Sequence, residues 1–315
     1  MSGGGHGAGT VAVHCGRWGT SLLDALRRGL PEADLVASGT PEAATADVLV
    51  TLADDGSAVA GALTPSVRWV HILGAGADGF PFDVLGDRVL TCSRGAGAAA
   101  IAEFVLATML AFEKDLPGSW VTEPPDAWNT AHLGGLEGRS LGLVGLGAIG
   151  TQVARRALAF DMEVAALRRS TAPSPMLGVA VVPDLAALLG RSDHVVIAAP
   201  ATVATFHLLD DAALAHARPR THLVNVARGS LVDQGALLRA LDDGRVARAS
   251  LDVVEPEPLP AGHPFYSHPD VYLSPHISWS SPRTGRRTVS LFADNLDRYR
   301  NGADLHGIVD TGAGY

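Results

Sequence analysis

The sequence has few cysteines, and their positions exclude two kinds of covalent framework. Only two occur in 315 residues, Cys15 and Cys92. They show neither the paired spacing of a zinc site nor the number that a disulfide scaffold needs. We therefore expect both thiols to be buried as small apolar groups in a reducing compartment. The histidines share no ligand spacing either, so we predict no metal site.

Positive charge and long apolar runs are also scarce. Lysine and arginine total 24 against 33 acidic residues, for a formal net charge of -9. This charge argues against electrostatic binding of nucleic acid or anionic membranes over a large surface. No apolar run reaches the length of a membrane span. Residues 1–10 are rich in glycine and lack the order of a signal peptide, so we interpret them as a flexible tail. These features predict a soluble cytoplasmic protein that binds neither nucleic acid nor membrane.

The composition present is that of a chain with a large core. It is 47% hydrophobic and 18% charged, and its length suggests two domains of about 150 residues each. Predicted strands at 11–15, 47–52, 67–73 and 89–92, with a helix at 22–30, indicate a parallel α/β lobe. Residues 95–112 are apolar nearly all round, which predicts a helix buried between domains or subunits.

A glycine-rich stretch at residues 141–150 (LGLVGLGAIG) organises the second part of the chain. A predicted strand runs into Gly145-x-Gly147-x-x-Gly150, and a helix at 151–160 and a strand at 162–167 follow. This is the context that a dinucleotide-binding turn requires. The three glycines suit a tight turn, a close approach of the backbone to a pyrophosphate, and close helix packing, in that order. The helix start at Ala148 and Ile149 offers backbone N–H groups to the phosphates.

Alternation of strands and helices continues to the end of the chain. The predicted strands lie at 194–198, 222–226, 247–253 and 271–273, and the helices at 185–189, 210–216, 233–243 and 281–300. We predict an α/β protein of two Rossmann-like or flavodoxin-like lobes, each with a parallel sheet, and a cleft between them. The substrate-binding domain would comprise residues 1–94 and 284–315, and the dinucleotide-binding domain residues 95–283.

Three sites with side chains suited to binding or catalysis follow predicted strands in this second part of the chain. Arg228 has a fixed fork of donors suited to a carboxylate, although a surface ion pair is the alternative. Asp252, Glu255 and Glu257 lie in a proline-stiffened run that also fits a solvated acidic turn. His276 suits proton transfer near neutral pH, although a single histidine is more often structural. The carboxyl ends of parallel strands share one edge of a sheet, where ligands bind.

Together these motifs resemble those of the D-isomer-specific 2-hydroxyacid dehydrogenase family, nearest to its glyoxylate/hydroxypyruvate reductase members. The resemblance covers nearly the whole chain from about Val11. The motifs that carry it lie in the family's order at residues 74–78, 101–106, 145–150, 226–229, 251–253, 257–258 and 274–276.

The resemblance implies a role for each catalytic position. His276 would protonate the substrate carbonyl oxygen, and Glu257 would bind its other ring nitrogen and fix the tautomer. Arg228 would bind the keto oxygen and the carboxylate together. Backbone N–H groups of Ala75 and Gly76 would bind the other edge of the carboxylate.

The resemblance also implies the cofactor groove and the substrate pocket. Asp252 would accept from the nicotinamide carboxamide. Pro200, Thr202 and Ala227 would line the cofactor groove. Leu73 and Trp279 would wall the substrate pocket, although a packing role for Trp279 fits equally well.

The end of the second strand of the dinucleotide fold departs from the NAD pattern. NAD-selective members carry an acid there, which accepts from the adenosine ribose. Here Arg168, Arg169 and Ser170 follow the strand, and guanidinium groups bind phosphate well. We predict a preference for NADP(H), with NAD(H) also possible. The alternative is that Arg169 is an ordinary loop residue, which makes Arg168 the discriminating position.

The leading hypothesis is NAD(P)H-dependent reduction of a small 2-keto acid, such as glyoxylate or hydroxypyruvate, to the D-2-hydroxy acid. Glu257 argues against formate oxidation, because the formate dehydrogenases of the family carry an amide there. Dehydrogenation of another small acid, such as phosphoglycerate or phosphite, stays open, as does a co-repressor-like NAD(H)-binding protein. The resemblance further implies a homodimer.

Overall fold

The computed structural model describes residues 9–14, 16, 20–53, 56–170 and 172–315. The predicted tail up to residue 8, and Cys15 with its end of the first strand, lie outside the described residues. The chain divides into two compact units: unit 1 comprises Met1–Gly97 and Ser281–Tyr315, and unit 2 comprises Ala98–Ser280. The assignment of substrate to one and of cofactor to the other stays a prediction.

Unit 1 contains a sheet of five parallel strands. Its elements up to residue 97 are β1 (Val11–Val13), α1 (Thr20–Gly29), β2 (Leu35–Ala37), β3 (Val48–Thr51), α2 (Gly56–Ala62), β4 (Trp69–Ile72) and β5 (Val89–Cys92). The order of the strands in the sheet is β2-β1-β3-β4-β5. The three central strands are buried along their whole length and mostly apolar, because both faces of a parallel sheet are covered. The edge strand β2 and the helix α2 are not predicted from the sequence.

Unit 2 contains a sheet of seven parallel strands. Its elements are α3 (Ala98–Glu113), β6 (Ser140–Val144), α4 (Ala148–Leu158), β7 (Glu163–Leu167), β8 (Val179–Val181), α5 (Leu185–Leu189), β9 (His194–Ile197), α6 (Asp211–Leu214), β10 (Thr221–Asn225), α7 (Gln234–Asp242), β11 (Val246–Leu251) and β12 (Val271–Leu273). The order of the strands in the sheet is β12-β11-β10-β9-β6-β7-β8. Alternate strand residues pack into two apolar clusters, one with α3 and α4 and the other with α5, α6 and α7. The predicted α/β class with a parallel sheet in each lobe is confirmed.

The chain returns to unit 1 in its last helix, α8 (Pro282–Arg300). The Ser281 side chain accepts from the backbone N–H of Thr284 and caps this helix, as the Ser-Pro start predicts. Phe292 is fully buried and packs against Trp69, with ring centroids 5.6 Å apart. Beyond the helix, residues 307–309 run along β5, with an antiparallel bridge from Ile308 to β5. The end of the chain thus completes both the core and one edge of unit 1.

Within the described ranges, no helix is both long and apolar enough to cross a membrane. The most apolar helix, α3, packs instead on α4 and β10 within unit 2, where Val105 and Met109 are fully buried. Its predicted position between domains or subunits stays a prediction.

A fully buried histidine links two strands of unit 1. The Nδ1 and Nε2 atoms of His71 lie 2.7 and 3.1 Å from the hydroxyl oxygens of Thr91 and Ser93. Burial lowers the pKa of His71 to about 3, because the protonated ring cannot be solvated there. The ring is therefore neutral in the folded protein near neutral pH.

A second buried histidine lies in the sheet of unit 2. The Nδ1 atom of His222 lies 3.1 Å from Nδ1 of His194, and its Nε2 atom lies 2.9 Å from the Ser250 hydroxyl. Burial is the main cause that lowers the pKa of His222 well below its ordinary value. Each unit thus contains a neutral histidine that unfolding would expose.

We expect both units to lose stability as the pH falls below about 6.5, because the unfolded chain then binds protons that the folded histidines do not. Between pH 7.5 and 5.5, His71 and His222 should each remove about 1.4 kcal/mol from the free energy of unfolding. Urea unfolding at the two pH values measures this loss. His71→Gln and His222→Gln should each remove the part of this pH dependence that its histidine causes. His132→Gln, which replaces an exposed side chain, is the control. Full pH dependence in both buried variants would contradict the assignment.

Candidate active site

The glycine turn after β6 has the geometry of a dinucleotide cradle. Gly145 has φ of +101°, and a Cβ there would lie 2.8 Å from the carbonyl oxygen of Ala198, so only glycine fits. A Cβ on Gly150 would collide with the carbonyl oxygen of Gly145. A Cβ on Gly147 would meet open space, so the fold itself leaves room there for a phosphate. The first turn of α4 follows directly and points unbonded N–H groups at this space.

Basic side chains follow β7, the neighbour of β6 in the sheet. Arg168 is half-buried, and within the described part of the chain it makes no hydrogen bond or ion pair. Arg169 and Ser170 are exposed, and the Ser170 hydroxyl accepts from the backbone N–H of Ala172 at 3.2 Å. Arg168 is therefore the residue with an uncommitted guanidinium at this edge of the sheet.

The loop after β9 lies at the surface and is cross-linked by side-chain hydrogen bonds. The Thr205 hydroxyl donates to the carbonyl oxygen of Pro200 and accepts from the backbone N–H of Thr202, both at 2.8 Å. These bonds hold the loop next to the glycine turn, because β9 pairs with β6. Contact of Pro200 and Thr202 with a cofactor stays a prediction.

Arg228 follows β10 in a turn that is stabilised by the buried side-chain amide of Asn225. The side chain of Asn225 donates to the carbonyl oxygen of Arg228 at 2.8 Å and accepts from the backbone N–H of Ala227 at 3.1 Å. Gly229, the next residue, packs so closely on the backbone of Val254 that a Cβ would collide with it. The loops after β10 and β11 are therefore fixed relative to each other.

Asp252, after β11, organises the loop after β12. Its buried carboxylate accepts from the Ser274 hydroxyl at 2.5 Å, the Ile277 N–H at 2.9 Å and the Ser278 N–H at 3.0 Å. A carboxylate has about four acceptor positions, so one remains for a further donor. The predicted contact with a carboxamide fits that position and stays a prediction.

His276 occupies a strained position in this loop. Its φ is +55°, a conformation that few residues other than glycine adopt. Its backbone N–H donates to the carbonyl oxygen of Asp252 at 2.9 Å, and its carbonyl oxygen accepts from the Trp279 indole N–H at 2.9 Å. Such strain persists only where surrounding bonds enforce it, and it is concentrated at functional sites.

The ring of His276 bonds to Glu257, from the loop after the neighbouring strand. Nδ1 lies 2.8 Å from Glu257 Oε2, and the other carboxylate oxygen accepts from the Val254 N–H at 3.2 Å. An ionised carboxylate can only accept, so Nδ1 carries the hydrogen. Nε2 has no partner among the described residues, and the side chain is 41% exposed. His276 is thus oriented and can hold or release a proton at Nε2.

The loop after β4 belongs to unit 1. Ala75 is exposed, and its carbonyl oxygen accepts from the Cys92 thiol at 3.4 Å. Burial raises the pKa of Cys92, as its predicted role as a buried thiol requires. Leu73 is only 9% exposed and packs in the core, which leaves little surface for a substrate. Contacts of Leu73, Ala75 and Gly76 with a substrate stay predictions.

Sequence reasoning missed several residues that build this site. Ser274 and Ser278 bond to Asp252, and Gln234 bonds to the loop of Glu257. Serine and glutamine are too common in loops and helix starts for their sequence positions to mark them. Among the described residues, no group of three His, Cys, Asp or Glu side chains could hold a metal ion.

Two curated proteins are similar to this chain over most of its length. Glyoxylate reductase from Thermofilum pendens is 36% identical over 219 residues, which are 66% of this chain and 63% of that protein. D-3-phosphoglycerate dehydrogenase from Mycobacterium bovis is 31% identical over 290 residues, 90% of this chain and 54% of that protein. The chain therefore spans less than two thirds of the length of these two curated relatives.

Solved structures and a family model agree with these relatives. A D-isomer specific 2-hydroxyacid dehydrogenase from Xanthobacter autotrophicus Py2, in complex with NADPH and MES, has a TM-score of 0.85 at 27% identity and covers 98% of this chain and 99% of its own. The family model of the D-isomer specific 2-hydroxyacid dehydrogenase NAD binding domain matches residues 106–278. Because this match covers more than half of the chain, the protein belongs to the D-isomer-specific 2-hydroxyacid dehydrogenase family.

Proposed function

We propose that this protein reduces a small 2-keto acid to the D-2-hydroxy acid with a nicotinamide cofactor. The observation that carries the proposal is the bond from His276 to Glu257, which leaves Nε2 of the ring available for a proton. This pair lies at the same sheet edge as Arg228 and the glycine turn, since all seven strands are parallel. Relatives named glyoxylate reductase and D-3-phosphoglycerate dehydrogenase support the reaction class.

Each residue has a distinct part in the reaction. The glycine turn would hold the pyrophosphate of a nicotinamide dinucleotide, whose reduced form would supply the hydride for the keto carbon. His276 supplies the proton from Nε2 to the keto oxygen, so that C=O becomes CH–OH and the ring is left neutral. Arg228 binds the carboxylate and stabilises the negative charge that develops on the keto oxygen. Glu257 stabilises the protonated ring and holds its orientation.

Steady-state oxidation of NADPH and NADH tests this proposal. Glyoxylate, hydroxypyruvate, pyruvate and phenylpyruvate are offered in parallel, since they differ in side-chain size and polarity. We expect turnover with NADPH on glyoxylate or hydroxypyruvate, and chiral analysis of the hydroxypyruvate product should give the D isomer. Cofactor binding without turnover of any acid would instead favour an NAD(H)-binding regulatory protein on this fold.

The cofactor preference proposed here is for NADP(H). The uncommitted Arg168, with Arg169 and Ser170 beside it, forms a group of donors that suits the 2′-phosphate of NADP(H). No acid stands at this position to repel that phosphate. A structural relative at 27% identity was solved with NADPH.

We expect Arg168→Asp to raise the KM for NADPH at least about tenfold and to change the KM for NADH far less, because a charge-assisted bond to the 2′-phosphate is lost. Steady-state kinetics with both cofactors measure the ratio. Arg191→Asp is the matched control, since it makes the same charge change before β9, at the opposite edge of the sheet. Equal changes with both cofactors would rule out recognition of the 2′-phosphate by Arg168.

We further propose that the protein is a homodimer that buries an exposed segment of unit 2 with two tryptophans. Residues 117–133 are exposed throughout, and Trp120 and Trp128 are 68% and 77% exposed. The base of the segment is held by bonds from Lys114 Nζ to the Gly134 carbonyl oxygen at 2.6 Å and from the Gly134 N–H to Glu113 at 2.9 Å. Large apolar groups held at a surface mark an interaction site.

Light scattering coupled to size-exclusion chromatography should give twice the chain mass for the wild type. The double variant Trp120→Glu/Trp128→Glu should give a monomer, because an interface core does not accommodate unpaired charge. Leu177→Glu is the matched control: Leu177 is 99% exposed and lies elsewhere on unit 2. A monomeric wild type, or a dimeric double variant, would contradict the proposed interface.

A further inference from the structure

We infer that Gln234 is a positioning residue for the Glu257–His276 pair, an inference that deepens the proposed function and rests on it. Gln234 is the first residue of α7 and is separated in sequence from both partners. Its side chain makes two reciprocal bonds to one residue of the loop after β11. Nε2 donates to the carbonyl oxygen of Glu255 at 2.6 Å, and Oε1 accepts from the Glu255 N–H at 3.2 Å.

We call the two bonds between Gln234 and Glu255 the clamp. The backbone that bears the Gln234 side chain is well anchored. The Asp233 side chain accepts from the N–H groups of Gly235 and Ala236 and so caps α7. Ala236 and Leu237, in the first turn, are fully buried. The backbone of Gln234 is therefore already ordered. When its amide binds the loop after β11, only the conformational entropy of the Gln234 side chain is lost.

A continuous series of contacts leads from the clamp to the ring of His276. The clamped Glu255 follows Val254, whose N–H donates to Glu257 Oε1 at 3.2 Å. The other oxygen of that carboxylate holds His276 Nδ1 at 2.8 Å. The bonds of Gln234 thus hold Glu255, the residue next to the Val254 N–H. That N–H orients the Glu257 carboxylate, which in turn orients the ring.

The energetics separate this role from a structural one. Both bonds of Gln234 are at the surface, where water replaces a lost partner and the net contribution to stability is about 0.5–1.5 kcal/mol. Catalytic geometry is far less tolerant, since a displacement of about 1 Å can cost a hundredfold in rate. Loss of the clamp should therefore act on turnover much more than on unfolding.

A double-mutant cycle tests the inference. We expect Gln234→Ala to lower kcat about tenfold in the wild-type background and less than about twofold in the Glu257→Gln background, because it acts through Glu257. Affinity for NADPH and the melting temperature should change little. Gln234→Glu keeps an acceptor but loses the donor to Glu255, so it should resemble Gln234→Ala. Arg239→Ala, at an exposed position on the same helix, is the control and should match the wild type.

A measurement without turnover keeps the inference separate from the proposed function. In ¹⁵N-edited NMR spectra of the whole chain, the Nδ1 proton of His276 is identified by its loss in His276→Gln. Gln234→Ala should broaden or shift this resonance, as Glu257→Gln does, even if no acid is turned over. An unchanged resonance, or an equal fall of kcat in both backgrounds, would overturn the inference. Absence of turnover in the wild type with a shifted resonance would count against the proposed function alone.

Discussion

Replacement of His276 by alanine is expected to lower kcat by about a thousandfold, because the variant has no group to supply the proton at the keto oxygen. The affinity for NADPH should stay close to that of the wild type, since the glycine turn and Arg168 lie after other strands. Stopped-flow or steady-state oxidation of NADPH gives kcat, and fluorescence titration gives the dissociation constant.

The control for this variant is His216→Ala, which removes an exposed histidine of the same unit. Glu257→Gln should fall between His276→Ala and the wild type, because the ring stays in place but loses the charge that stabilises its protonated form. Turnover of His276→Ala within a few-fold of the wild type would exclude His276 as the acid.

Alanine at Gly229 is expected to abolish most of the activity without removing any functional side chain. The new Cβ would collide with the backbone of Val254, so the loops of Arg228 and Glu257 must move apart. A shift of about 1 Å in either loop should lower kcat/KM about a hundredfold. Overpacking of this buried position should also cost about 1–3 kcal/mol in the free energy of unfolding.

Kinetics and urea unfolding measure the two effects of Gly229→Ala. Gly285→Ala is the control, because a Cβ at that helical glycine meets open space and replacement there should be neutral or slightly stabilising. If Gly229→Ala kept the activity and stability of the wild type, the close packing between the two loops would not matter for function.

Much of the fold follows from local sequence patterns. The capped helices show this best: Asp233 and Ser281 accept the N–H groups that their sequence contexts predict. The sequence predicts neither β2 nor β8, two strands of three residues at sheet edges. Such segments have too few apolar positions to show a period, and pairing with a neighbour defines them.

The site follows from the sequence only in part. Motif resemblance names His276 and Glu257, and the structure adds the 2.8 Å bond between them. No pattern indicates the positive φ of His276. Its backbone N–H donates to Asp252, which is distant in sequence, and its carbonyl oxygen accepts from the Trp279 indole. Side-chain clamps such as that of Gln234 depend on tertiary contacts, and single-sequence propensity contains no information about them.

Unit 1 is built from both ends of the chain, and this affects the order in which the two units can fold during synthesis on the ribosome. Unit 2 is one continuous stretch, so its sheet can be completed as soon as residue 280 has left the exit tunnel. The aromatic core around Trp69 still lacks Phe292 at that moment, and β5 still lacks the partner that residues 307–309 provide. The first-synthesised part of the protein is therefore the last to mature, and its open strand edge is the surface that a nascent-chain chaperone would need to protect.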